Sequence, residues 1–152
     1  MLTDNDKFQD AAFTSLQSVL YTYISVNILK YTFARERPLQ NSSPYVFNFF
    51  DTNATSFPSG HASNAFAVIV PWVVYYPGIY TYSMLALPVG TAIARISKGK
   101  HWMSDVYAGA LIGAFWGYRL SKRHLDPTRS ENIAITPFYG RNGGGVSLKV
   151  SF

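Results

Sequence analysis

The sequence predicts an all-α protein, a transmembrane bundle of about four core helices followed by a short tail like a β-hairpin. Three stretches without charged residues support the bundle: Ala11 to Leu29, Ala62 to Ala94 and Val106 to Tyr118. The first stretch has 19 residues, and a helix of about 20 residues crosses the roughly 30 Å hydrocarbon core of a bilayer. We therefore assign residues 1–125 to the bundle and residues 126–152 to the tail.

The second uncharged stretch predicts a helical hairpin with two mostly buried segments. Pro77-Gly78 interrupts it near the middle, where a turn is expected. The whole stretch shows no polar helical face of the kind that a solvated helix presents. The mean hydropathy of +0.04 is nevertheless low for a membrane protein and weighs against a transmembrane bundle.

The third uncharged stretch continues a helix that we expect to begin near His101. Three glycines recur in it at every fourth residue: Gly109, Gly113 and Gly117. Residues four apart share one face of a helix, and a face of small residues lets a second helix approach closely. The stretch therefore predicts a tightly packed helix pair.

The tail differs from the bundle in its composition. Residues 133–139 and 146–152 predict two short strands, joined by the glycine-rich turn 140–145. The second strand alternates apolar and other residues, with apolar side chains at Val146, Leu148, Val150 and Phe152. Such alternation predicts one buried face.

Composition excludes several classes of protein. The chain carries a net charge of +5, but it has no long basic run, so we expect no nucleic-acid partner. It has no cysteine, which excludes disulfides and thiolate catalysis, and no cluster of metal-ligating residues, so we expect neither a metal nor another cofactor. The 16% aromatic content, with 11 tyrosines, is typical of a protein at a membrane–water boundary. The N-terminus is too polar for a signal peptide.

Three short motifs combine cations, histidines and a carboxylate: Lys30 with Arg37-Pro38, then Pro58-Ser59-Gly60-His61, then Arg95 with His101 and Asp105. Three fixed cations can balance the charge on a phosphoryl group as its transition state forms. Two histidines can supply a nucleophile and an acid near neutral pH. Asp105, four residues after His101, could accept the proton on one ring nitrogen and leave the other free to attack. Together the motifs predict cleavage of a phosphate ester without a metal.

Their order and spacing, from Lys30 to Asp105, resemble the three-part signature of the type 2 phosphatidic acid phosphatase family, which is related to bacterial acid phosphatases and vanadium haloperoxidases. The resemblance implies that His101 is the nucleophile that becomes phosphorylated, Asp105 its orienting partner and His61 the general acid. It also implies a phosphate cradle formed by Lys30, Arg37, Ser59, Gly60 and Arg95. We expect Ser59 and Gly60 to cap a helix as well.

One position departs from the family pattern. The family usually has serine directly before the arginine of the third motif, whereas this chain has Ala94. One hydroxyl contact is therefore missing, and a neutral hydrogen bond contributes about 0.5–1.5 kcal/mol. We expect weaker phosphate binding without loss of the reaction.

The resemblance implies hydrolysis of a phosphate or pyrophosphate monoester on a membrane lipid, through a phosphohistidine. The lipid and the oligomeric state stay open. Two alternatives also stay open: a vanadate-dependent haloperoxidase, and a non-catalytic membrane protein that binds a lipid or a phosphate. The aromatic residues of the loop from Leu39 to Phe57 could line an entrance for an acyl chain or could pack at the rim of the bundle: Tyr45, Phe47, Phe49 and Phe50.

The expected location is an integral position in a membrane, by this resemblance the bacterial inner membrane. Family members in membranes usually have two further helices before the one that carries Lys30, and we expect this chain to lack them. Arg119, Lys122 and Arg123 follow the fourth helix closely. Because basic flanks tend to stay in the cytoplasm, we expect the motif residues to face the periplasm or the exterior.

Overall fold

A computed structural model describes residues 4–40, 43–51, 55–126, 133–140 and 143–150 of the chain. Over these residues the helices are α1 (Asp4–Phe33), α2 (Gly60–Tyr75), α3 (Ile79–Ser83), α4 (Ala86–Ser97) and α5 (Met103–Leu125). Two strands follow, β1 (Ile133–Gly140) and β2 (Gly143–Val150), which pair in antiparallel fashion. The described chain is therefore mostly helical, with four helices of twelve residues or more and one short helix. The predicted burial of one face of the tail lies outside the described side chains.

The pairing of α2 with α5 depends on glycine. A Cβ atom added at Gly113 would lie 2.0 Å from the carbonyl oxygen of Ser63, and one added at Gly109 would lie 2.5 Å from the carbonyl oxygen of Ser59. Both distances are far below van der Waals contact, so α5 packs with its backbone directly against α2. The predicted close approach of two helices at the glycine face is confirmed.

The predicted burial of the hairpin is confirmed for only one of its two arms. Helix α2 buries six residues along its length, whereas α4 buries only Pro88. Leu87 is 64% exposed and Ile93 is 59% exposed. The expectation of two mostly buried segments is wrong for α4, because in the described structure this helix packs mainly along one side, on α2. No helix in the described ranges is both long enough and apolar enough to cross a membrane.

The segment between α1 and α2 covers one end of the bundle. Residues 34–59 contain no helix in their described part, and Arg35 forms an isolated antiparallel bridge with Phe47. The rings of Phe47 and Phe49 lie 6.4 and 6.2 Å from the ring of Phe33, and the ring of Phe50 lies 5.5 Å from that of Tyr31. These contacts favour packing at the rim of the bundle for three of the four loop aromatics.

Candidate active site

Four helix ends meet beneath this segment and form a cavity of about 410 Å³. Lys30 lies in the last turn of α1 and Arg95 in the last turn of α4. His61 is the second residue of α2, and His101 lies in the connection just before α5. Because successive long helices run up and down, the end of one and the start of the next lie on the same side of the bundle. Six residues singled out from the sequence line this cavity: Lys30, Arg37, Gly60, His61, Arg95 and His101.

Several donors around the cavity have few or no partners in the described residues. The ammonium group of Lys30 donates to the carbonyl oxygen of Thr55, and Nη2 of Arg37 lies 3.4 Å from the Thr55 hydroxyl. Nε of Arg95 and Oγ of Ser59 are buried and have no hydrogen-bond partner there. A buried donor without an acceptor is costly, and the oxygens of a phosphoryl group would supply acceptors. The cavity is therefore suited to an anion.

The lowered pKa values of two cavity residues also indicate a site suited to an anion. Burial and, to a smaller extent, the positive charge of Arg37 together lower the pKa of Lys30 to about 8. Burial also lowers the pKa of His61, and so do the charges of Arg95, Lys30 and Arg37. A cation destabilised by its cationic neighbours is relieved when an anion binds among them. Phosphate binding should therefore raise both pKa values.

The ring of His101 is 3% exposed and has a defined hydrogen bond. Nδ1 lies 2.8 Å from the carbonyl oxygen of Ser56. Since a carbonyl oxygen can only accept, Nδ1 carries the proton in the neutral ring and Nε2 is unprotonated. Burial lowers the pKa of His101 to about 4, although the bond to Ser56 opposes this shift. The ring is thus neutral at neutral pH, which is the form that a nucleophile needs.

Asp105 is placed differently from the expectation. Its Oδ2 lies 3.9 Å from Nδ1 of His101, too far for a hydrogen bond. The same oxygen accepts from the Ser56 hydroxyl at 2.6 Å and from the backbone N–H of Trp102 at 2.9 Å. The reason is that α5 begins at Met103, so His101 lies outside the helix and the spacing of four residues is not one helical turn. Among the described residues, the hydrogen bonds that connect Asp105 to the ring of His101 run through Ser56.

Ser59 also differs in part from the expectation. It occupies the N-cap position of α2, but its side chain makes no capping hydrogen bond. Its carbonyl oxygen accepts from the backbone N–H and the hydroxyl of Ser63, and its own N–H donates to the carbonyl oxygen of Asp105. The backbone therefore anchors Ser59 between α2 and α5, and its hydroxyl has no partner among the residues that the structure describes.

Sequence reasoning missed several residues of the site. Tyr23 and Asn27 line the cavity and precede Lys30 by seven and three residues, so they share its helix face. Asn64 lines it three residues after His61. Helical periodicity could have found all three. Arg35 and Ser56, which bind Asp105, lie in irregular segments where no such signal exists.

The fold and the site define a class: a helical bundle whose helix ends collect cations and histidines around an anion-binding cavity. The chain belongs to the PAP2 superfamily, whose family model matches residues 11–129. No solved structure matches the chain at a significant level.

Similar proteins include two named lipid A 1-phosphatases. The one from Porphyromonas gingivalis is 37% identical over 95 residues, which are 60% of this chain and 19% of that protein. The one from Rhizobium johnstonii is 29% identical over 65% of this chain and 42% of that protein. A protein of Arabidopsis thaliana named "Probable lipid phosphate phosphatase beta" is 30% identical over 64% of this chain and 58% of that protein. The chain thus spans about a fifth to three fifths of these curated relatives.

Proposed function

We propose that the protein is a lipid phosphate hydrolase, which cleaves a phosphate or pyrophosphate monoester through a phosphohistidine on His101. One observation carries this proposal: the cavity combines three cations with a neutral histidine whose Nε2 is unprotonated. Cations already in place stabilise the charge of a phosphoryl transition state without reorganisation. Membership of the PAP2 superfamily supports the same reaction class.

In the first half of the reaction, Lys30, Arg37 and Arg95 hold the non-bridging oxygens of the phosphoryl group. Nε2 of His101 attacks phosphorus, so a P–N bond forms as the P–O bond to the leaving group breaks. His61 gives its proton to the leaving oxygen. Gly60, in the first turn of α2, adds a helix N-terminus that favours the negative charge.

In the second half, water attacks the phosphorus atom of the phosphohistidine. His61, now neutral, takes a proton from that water, and the P–N bond breaks. Inorganic phosphate leaves, and His101 returns to its neutral form with the proton still on Nδ1. The bond from Nδ1 to Ser56 holds the ring in one orientation through both steps.

Two observations support a lipid as the substrate. The relatives are named as phosphatases of lipid A and of lipid phosphate. In addition, large apolar side chains are exposed along three helices, among them Leu16 of α1, Leu87 of α4 and Tyr107 of α5. Soluble proteins rarely expose so much apolar surface, and acyl chains would cover it.

The test is release of phosphate by purified protein from phosphatidate, phosphatidylglycerol phosphate, a polyprenyl pyrophosphate and a lipid A phosphate. An alkaline quench, which preserves a P–N bond, should show labelled His101 during turnover. His101→Ala should abolish both release and label. His124→Gln is the matched control, because His124 lies at the far end of α5 and should leave both intact.

Other results would favour the alternatives. Binding of these lipids with no phosphate release would favour a non-catalytic binding protein. Oxidation of halide by peroxide in the presence of vanadate, again without phosphate release, would favour a haloperoxidase. A label that persists in His101→Ala would assign the nucleophile to another side chain.

We also propose an integral location in a membrane, with the cavity facing the periplasm or the exterior. The exposed apolar side chains support contact with lipid, and the basic residues after α5 support the orientation. Single cysteines can test it, because the chain has none. Tyr45 is 84% exposed on the cavity side and Tyr80 is 86% exposed near the Pro77-Gly78 turn. An impermeant thiol reagent on intact cells should label Tyr45→Cys and spare Tyr80→Cys; the reverse pattern contradicts the orientation.

A further inference from the structure

Arg35 lies only two residues before Arg37, yet it does not line the cavity. Its Nη1 donates to Oδ1 of Asp105 at 2.5 Å and to the hydroxyl of Ser104 at 2.7 Å. Nε donates to the carbonyl oxygen of Pro44 at 2.9 Å, and Nη2 donates to the same oxygen. Arg35 is 6% exposed and Asp105 is fully buried. The two form a buried ion pair behind the site.

This ion pair changes the charge balance of the site. A buried carboxylate needs a positive partner, and Arg35 supplies it to Asp105. The three cations that line the cavity therefore remain available to a bound phosphoryl group. Asp105 also has no need to take the proton of His101, which agrees with the 3.9 Å between its Oδ2 and Nδ1.

Ser56 connects this pair to His101. It is fully buried, and its backbone N–H donates to the carbonyl oxygen of Arg35 at 2.9 Å. Its hydroxyl donates to Asp105 at 2.6 Å, and its carbonyl oxygen accepts from Nδ1 of His101 at 2.8 Å. Three hydrogen bonds from one residue fix the direction of that carbonyl group. The direction of the carbonyl in turn sets the tautomer and tilt of the imidazole.

We propose that Arg35 and Ser56 are positioning residues of the reaction, which act on His101 through Asp105 and the Ser56 carbonyl group. This inference rests on the proposed phosphohistidine chemistry. Neither residue touches the substrate. Their effect is to keep the proton on Nδ1 and to aim Nε2 at phosphorus.

Two conservative variants test this, Arg35→Lys and Ser56→Ala. Arg35→Lys keeps a positive charge beside Asp105 but loses the guanidinium group, whose other N–H groups donate to Ser104 and Pro44. Ser56→Ala keeps the carbonyl group but loses the hydroxyl bond to Asp105. Each should slow formation of the phosphohistidine by about 10–100-fold, by analogy with the range seen when the hydrogen-bond partners of metal-binding histidines are changed.

Two inhibitors separate positioning from general damage to the fold. Orthophosphate needs only the cradle, so its inhibition constant should change less than about threefold, which is under 1 kcal/mol. Orthovanadate imitates five-coordinate phosphorus and takes a bond from Nε2, so its inhibition constant should rise by about 10–100-fold with the loss of positioning. Partial unfolding would lower the number of sites and leave both constants unchanged. Lys98→Gln and Ser97→Ala, exposed positions at the end of α4, are the matched controls and should change neither constant.

A second measurement does not need turnover. Nitrogen-15 spectra of the three histidines should show His101 in the Nδ1–H tautomer in the wild type and a mixture of tautomers in both variants. If the wild type releases no phosphate but the tautomer shifts as expected, the proposed function fails, and what holds is that Arg35 and Ser56 orient the ring of His101. If the wild type hydrolyses lipid phosphate while both variants keep the single tautomer and wild-type vanadate inhibition, the positioning role is refuted.

Discussion

Gly113→Ala should destabilise the bundle. The new Cβ atom would lie 2.0 Å from the carbonyl oxygen of Ser63 and 3.0 Å from the backbone nitrogen of Ala67. Ordinary contact begins at 3.4 Å, so α2 and α5 must separate by about 3.4 − 2.0 = 1.4 Å. Neither obstacle is a side chain that could turn aside. Overpacking costs about 1–3 kcal/mol, and a backbone obstacle places this change at the upper end. Alanine regains about 1 kcal/mol of helix propensity, which leaves a net loss of about 2 kcal/mol.

The matched control is Gly90→Ala, in the middle of α4. A Cβ atom there meets nothing within 4 Å in the described structure, so only the helix propensity changes and stability should rise by about 1 kcal/mol. Denaturant unfolding followed by circular dichroism should thus give midpoints that move in opposite directions. Two midpoints that move together, or a neutral Gly113→Ala, would refute the argument from backbone contact.

Gly113→Ala should also lower the activity of the candidate active site. Ser63 follows Ser59 by one helical turn, and the N–H of Ser59 donates to the carbonyl oxygen of Asp105 at 2.9 Å. Separation of α2 from α5 therefore strains the link that holds the start of α2 beside the start of α5. Phosphate release per folded molecule should fall in Gly113→Ala and stay at the wild-type level in Gly90→Ala.

Three further predictions concern the chemistry. His61→Ala should slow release from alkyl phosphates by about 10²–10⁴-fold and much less from an aryl phosphate, whose leaving group needs no proton; equal losses would contradict the role of acid. Burial lowers the pKa of His101 to about 4, and protonation removes the attacking lone pair as the pH falls through that value. On the acid side of the pH profile, kcat/KM should therefore fall to half its maximum near pH 4. A midpoint at the ordinary histidine pKa of 6.5 would contradict the role of His101 as the nucleophile. Activity should resist EDTA and be inhibited by orthovanadate, whereas loss on chelation with recovery on adding a divalent metal would exclude this mechanism.

The sequence alone was sufficient to predict a helical bundle and six of the residues that line the cavity. Uncharged stretches indicated the helices. The glycines at every fourth residue indicated a close helix pair, which in the structure is α2 with α5. Lys30 and Arg95 at helix ends, with His61 at a helix start, follow from local periodicity. Because these signals depend on nearby residues in the sequence, they can be recognised without knowledge of the tertiary structure. The exposure of apolar side chains on α4 could not be predicted, because it depends on which other helices pack against α4.

Only the tertiary structure decided how His101 is held. The spacing of four residues to Asp105 suggested a direct pair, but the start of α5 lies between them, and Asp105 binds Arg35, Ser56 and the backbone of Trp102 instead. Arg35 and Ser56 are 21 residues apart and come from irregular segments with no periodic signal. A hydrogen-bond partner depends on the direction of single atoms in space. Residue types and spacing therefore determined which groups meet in this protein, and the packing of three chain segments determined which atoms bind each other.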